Sequence, residues 1–141
     1  MGASLPADVV EFLERPHHAV IGFPGPGGRP RTVATWYAWD DGEILLNMEA
    51  TRKRLDRIQV GTPVSLTVLD ADNWYRHISL YGAISRREDD AAFAGVDRLA
   101  ERYTGDPYSD HTTPRVNAWM RVDAWMGWVG GEPWPGSGQT G

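Results

Sequence analysis

The chain has 141 residues, 14 Lys and Arg against 19 Asp and Glu for a net charge of −5, and no cysteine. That length suits one domain whose core closes without cross-links, and the absence of thiols excludes disulfides, cysteine nucleophiles and Cys-ligated zinc or iron–sulfur centres. The acidic balance speaks against a nucleic-acid binder, which needs a broad basic surface to neutralise phosphates.

The opening residues lack a basic, apolar leader, and no apolar run approaches membrane-spanning length, so a soluble cytoplasmic protein with no membrane partner is expected. Pro6 and Ala7 open a short helix to Glu14, with Val9, Val10, Phe12 and Leu13 as its apolar face and Arg15-Pro16 as its stop. A strand over His17–Phe23, the turn region Pro24–Pro30, and a β-branched, aromatic strand over Thr32–Trp39 form a first hairpin. Asp40-Asp41-Gly42 is a tight-turn signal that leads into the strand Ile44–Asn47.

Thr51 has the chemistry of a helix N-cap, and Leu55 and Ile58 lie one turn apart, which predicts a short helix from Arg52 to Val60 before Gly61-Thr62-Pro63. Val64–Leu69 and Trp74–Ser85 read as strands around a turn at Asp70–Asn73. Ser85 and Glu88 have capping-box spacing, ahead of an amphipathic helix carrying Phe93, Val96, Leu99, Ala100 and Tyr103 on one stripe. After the loop Thr104–Pro114, strict alternation marks a last strand from Arg115 to Val129. The expected organisation is a single domain over 1–130 with a flexible Gly/Pro-rich tail over 131–141. About six strands joined by hairpins, with three short helices, predict an α+β, mainly β, antiparallel barrel.

One segment advertises a site. Arg52, Lys53, Arg54 and Arg57 gather a large share of the basic charge within six positions. Cations in the first turn of a helix oppose its dipole, so an anion at that terminus is the simplest explanation, with Thr51 and free backbone N–H groups completing a phosphate pocket. Asn47 and Met48 end the preceding strand, so a flat ring lying along that strand would bring its phosphate to the cluster.

The stretch Gly28–Asn47, the run Thr51-Arg52-Lys53-Arg54 and the segment Pro63–Leu66 together resemble the pyridoxamine 5'-phosphate oxidase-like proteins, FMN-binding split barrels, over about Leu5 to Trp128. The nearest branch is that of the actinobacterial F-420-dependent flavin/deazaflavin oxidoreductases. The resemblance implies a split β-barrel homodimer with cofactor sites at the subunit interface. It implies that Thr51, Arg52 and Lys53 hold the flavin phosphate and that Arg54 serves a deazaflavin. It further implies that Thr35, Trp36, Tyr37, Leu46 and Asn47 line the ring. Past the cluster the chain departs from many relatives, with Leu55-Asp-Arg-Ile in place of an Asn-Leu pair and Asp-Pro-Arg.

Other residues point elsewhere less strongly. His17 and His18 are neighbours on a strand and face opposite ways, with no third ligand nearby, so no metal is expected. His77 and His111 stand alone, and Ser79 and Tyr81 lack a base, which leaves no hydrolase triad and no assigned catalytic residue. Gly25, Gly27 and Gly28 do not form a dinucleotide fingerprint. Seven Trp exceed the needs of a small core. The resulting expectation is an oxidoreductase passing hydride between F-420, or secondarily FMN, and a small unsaturated or imine-like molecule. The alternative is a non-catalytic flavin, haem or tetrapyrrole binder on the same barrel.

Overall fold

The computed structural model describes residues 4–138. In chain order the elements are α1 (Ala7–Leu13), β1 (His18–Pro24), β2 (Pro30–Thr35), β3 (Ala38–Asp40), β4 (Glu43–Glu49), β5 (Pro63–Leu69), β6 (His77–Asp89), α2 (Ala94–Thr104), β7 (Arg115–Val129) and β8 (Glu132–Pro133). They form one antiparallel sheet in the order β2-β1-β5-β6-β7-β4-β3, with β8 added to β7. This is the α+β, mainly β architecture that the hairpin spacing predicts. No helix among the described residues is long and apolar enough to cross a membrane.

Alternation decides which face closes on itself. Ile21, Leu66 and Leu80 meet in register with Trp125, while Ile44, Leu46 and Met48 pair against the inward residues of β7. All of these are buried, and each large aliphatic side chain so placed contributes about 1.5–3 kcal/mol. Two register shifts, at Tyr81/Gly82 and Ile84/Arg86, bend β6 against β7. At the first, a Cβ on Gly82 would sit 1.7 Å from the Arg121 carbonyl oxygen, so only glycine permits the approach.

The stretch Thr32–Trp39, which propensity predicts as one strand, is two. β2 pairs with β1 at one edge of the sheet and β3 with β4 at the other, so Trp36 and Tyr37 carry the chain across the split. Tyr37 is pinned there. Its hydroxyl donates to the Arg15 carbonyl at 2.9 Å, and Arg102 Nε donates to the Tyr37 carbonyl at 2.8 Å. The same guanidinium donates to the carbonyls of Leu13, Glu14 and Arg15, which satisfies the open end of α1.

Three further expectations are corrected. The segment after Ser85 continues as strand to Asp89, so Ser85 and Glu88 form no capping box. Instead the buried Asp90 accepts the N–H groups of Gly95 and Val96, both at 2.9 Å. The predicted helix Arg52–Val60 is a five-residue 3-10 turn, Lys53–Arg57. Arg87 on β6 meets the end of this turn, donating Nη1 to the carbonyls of Leu55 at 3.1 Å and Ile58 at 3.2 Å. Finally, the tail expected to be flexible returns to the barrel as far as it is described. Trp134 is 2% exposed, stands edge-on to Phe12, and donates Nε1 to Asp8 at 2.9 Å. Residues 139–141 of that tail lie outside the described residues.

Candidate functional site

Two clefts open along β2, and Arg54 lines both. The first, of about 560 Å³, lies beneath α2 between His18, Thr35, Trp36, Asn47, Tyr103, Tyr108 and Arg115. The second, of about 670 Å³, is basic: Arg31 and Thr32 of β2 face Arg52, Lys53, Arg54 and Arg57 across it, with Asp56 the one acid in its wall.

The basic cleft does not depend on a helix terminus. A five-residue 3-10 turn has no macrodipole of consequence, its first residue is preceded by Arg52 with no side-chain cap, and Thr51 is exposed and lines neither cleft. Convergence of side chains replaces the dipole argument. Leu55 and Ile58 are buried one turn apart, which anchors the turn to the core and projects the basic residues outward. Arg52 pairs with Glu49 at 3.4 Å, whereas Arg31, Lys53, Arg54 and Arg57 make no ion pair among the described residues. Arg54 is half-buried, and burial first, then the charge of Arg52 and less so that of Arg115, outweigh the opposing charge of Glu49 and lower its pKa from the ordinary arginine value. A half-buried guanidinium that makes no ion pair among the described residues suits an anion.

The first cleft is built on a chain of hydrogen bonds. Asp90, fixed by the first amides of α2, accepts Asn47 Nδ2 at 3.0 Å. Asn47 Nδ2 also donates to Asn117 Oδ1 at 2.6 Å, and Asn47 Oδ1 accepts Arg115 Nε at 2.6 Å. Gly95 makes the arrangement possible, since a Cβ there would fall 2.0 Å from Asn117 Oδ1. Aromatic rings form the opposite wall. Trp36 stacks parallel to Tyr103 with centroids 5.5 Å apart and meets Tyr108 edge-on at 6.3 Å, and Tyr108 covers the Arg115 guanidinium at 4.8 Å. The loop carrying Tyr108 is tied to α2 through Asp97, which accepts the Tyr108 N–H at 2.9 Å and the His111 Nε2 at 2.8 Å.

The residues singled out from the sequence therefore divide. Thr35, Trp36, Asn47 and Arg54 line the cleft beneath α2, and Arg52, Lys53 and Arg54 line the basic one. Tyr37 and Leu46 do not reach either: both are fully buried in the core, because the chain crossing at Tyr37 and the inward register of β4 turn their side chains away. His77 stays outside the clefts, bonded by Nδ1 to the Trp74 carbonyl. Sequence reasoning missed Arg31, Tyr108 and Arg115. Arg115 heads the last strand directly opposite Glu49, a pairing that becomes visible only once the register is known.

Residues 5–128 match the family described as pyridoxamine 5'-phosphate oxidase. Among solved structures, the chain is similar to an F-420 reductase, at 28% identity and a TM-score of 0.75 over 86% of this chain and 98% of that one. It is also similar to a conserved hypothetical protein of Mycobacterium tuberculosis, at 25% identity and a TM-score of 0.70 over 92% and 87% of the two chains. A FAD- and haem-binding protein of Mycobacterium smegmatis shares the fold at 16% identity and a TM-score of 0.66, over 93% and 74%. No curated protein matches the sequence.

Proposed function

The chain belongs to the pyridoxamine 5'-phosphate oxidase family, and from that premise we propose that it is an oxidoreductase using F-420, or secondarily FMN, to pass hydride to or from a small unsaturated or imine-like molecule. The observation that carries this reading is Arg54, half-buried and in no ion pair among the described residues, at the junction of a basic cleft and an aromatic one. A cofactor with a phosphate at one end and a flat ring at the other has the matching distribution of chemistry. Arg52, Lys53 and Arg54, joined by Arg31, would hold the phosphate, and Thr35, Trp36 and Asn47 would face the ring. When bound, the cofactor supplies the hydride chemistry, while the protein orients it and excludes water. The preference for F-420 rests on the fold and identity shared with the F-420 reductase.

We place the cofactor sites beside a homodimer interface, on the strength of one surface. The outward rows Ala34–Val20–Thr67–Ser79–Met126 and Thr32–Gly22–Ser65–Tyr81–Ala124 cross five strands without a charged residue. A face so depleted of charge suits a second copy.

Titration of the purified protein with F-420 and with FMN tests the reading. Micromolar saturable binding of one is expected, and Arg54→Gln should weaken it about 10–100-fold, the loss of one charge-assisted phosphate contact of about 1.5–3 kcal/mol. Saturable binding of neither overturns the proposal. The aromatic wall would serve a non-catalytic carrier equally well, and a tightly bound cofactor that no electron donor or acceptor turns over would favour that second reading.

A further inference from the structure

We propose that the cleft beneath α2 is a receptor for the carboxylate of a planar organic acid and that Arg115 is the residue that selects it; the role of that acid as substrate rests on the oxidoreductase reading above. Arg115 is well enclosed in the cleft, with its side chain 11% exposed, yet its carboxylate contact is a long one. Glu49 stands 4.0 Å away and is shared with Arg52 at 3.4 Å. Asp90 is spent on Gly95, Val96 and Asn47. The group that grips Arg115 is the Asn47 amide, and an amide orients a guanidinium without cancelling its charge. An enclosed cation whose carboxylate contact is long and shared gains from a ligand that supplies a closer one.

The geometry also selects the shape of that ligand. Asn47 engages Nε, and the Nη groups, approached by Glu49 only at 4.0 Å on Nη1, can meet a carboxylate in the two-point manner that arginine favours. Tyr108 lies against the guanidinium plane, and Trp36 and Tyr103 extend the flat wall, so a planar body behind the carboxylate stacks where a bulky one would not. A phosphate is better served by the neighbouring cluster of several cations, which Arg54 shares with this cleft, whereas Arg115 stands apart from that cluster in a cleft also lined by apolar Ala19, Val96 and Leu99.

Calorimetric titration with cinnamate and its uncharged amide, beside the F-420 and FMN titrations, tests the inference. Cinnamate should bind saturably below millimolar concentration and the amide at least tenfold more weakly. Arg115→Gln should lose cinnamate at least tenfold and keep its cofactor affinity, with Arg115→Lys in between. Should the glutamine variant fail to fold, Tyr108→Leu tests the same site, with a predicted loss for cinnamate and none for acetate. Equal binding of acid and amide, or unchanged cinnamate affinity in both variants, overturns the proposal. If neither cofactor binds while cinnamate still requires Arg115, the oxidoreductase reading fails and the carboxylate receptor stands.

Discussion

Arg102 is the single side chain on which most of the long-range geometry hangs. It sits in the last turn of α2, and its four carbonyl partners belong to the end of α1 and to the crossing between β2 and β3. Arg102→Ala strands those acceptors and should lower stability by about 2–3 kcal/mol, with Arg102→Lys recovering a minor part, as read by urea denaturation. His17 works in the opposite sense. It is buried against Phe12 with Nδ1 accepting the Ala71 N–H at 3.2 Å, and burial is the main cause of a pKa below the ordinary value. The unfolded chain therefore takes up this proton before the folded one does. The stability it contributes is complete above the unfolded pKa of about 6.5 and is lost as pH falls from there through the folded value. Tm should decline between pH 7.5 and pH 5.5, and His17→Gln should flatten that slope; an unaltered slope in the variant would rule out His17 as its origin. Gly82 is a steric case. Gly82→Ala drives a methyl into the Arg121 carbonyl and should cost more than about 2 kcal/mol, measured in the same denaturation series.

At the scale of elements, two short pieces that propensity undervalues decide how the barrel is finished. The 3-10 turn Lys53–Arg57 is held by Arg87 reaching across from β6, so the basic side chains owe their convergence to a strand far away in sequence. β8 and Trp134 form the other piece. Trp134 fills a space between Phe12 and Arg76 and closes on Asp8, joining the end of the described chain to its beginning. Trp134→Ala should cost about 3–5 kcal/mol, and removal of residues 131–141 should lower Tm at least as far. A truncation with wild-type Tm would show that the closing contacts add nothing. The α2 helix likewise starts on a side chain that its own sequence does not supply in capping-box form, since Asp90 accepts its amides from a strand end while holding Asn47 in the cleft. One carboxylate thereby couples the helix to the site.

Across the whole molecule, the charge is distributed by function. The net charge is −5, yet cations collect in one cleft and two rows that cross the outward face of five adjacent strands carry none. If that face joins two copies, Val20→Glu should shift the protein from dimer to monomer in sedimentation, and a wild-type chain that sediments as a monomer at micromolar concentration contradicts the assignment. By itself the sequence determined the strand alternation, the hairpin turns at Pro24–Pro30 and Asp40–Gly42, the mainly β class and the basic cluster, because period-2 burial, turn chemistry and local charge are properties of neighbours along the chain. Tertiary structure alone decided that Thr32–Trp39 divides between opposite sheet edges, that Tyr37 and Leu46 belong to the core, and that the helix expected after Thr51 is a tight turn. It alone placed Arg31 and Arg115 at the clefts. Those outcomes depend on partners distant in sequence: Arg102 for Tyr37, Arg87 for the turn, and Asn47 with Asp90 for Arg115. Pairing between strands distant in the chain brings such partners together, and the alternation within one strand sets its buried face without naming its neighbour.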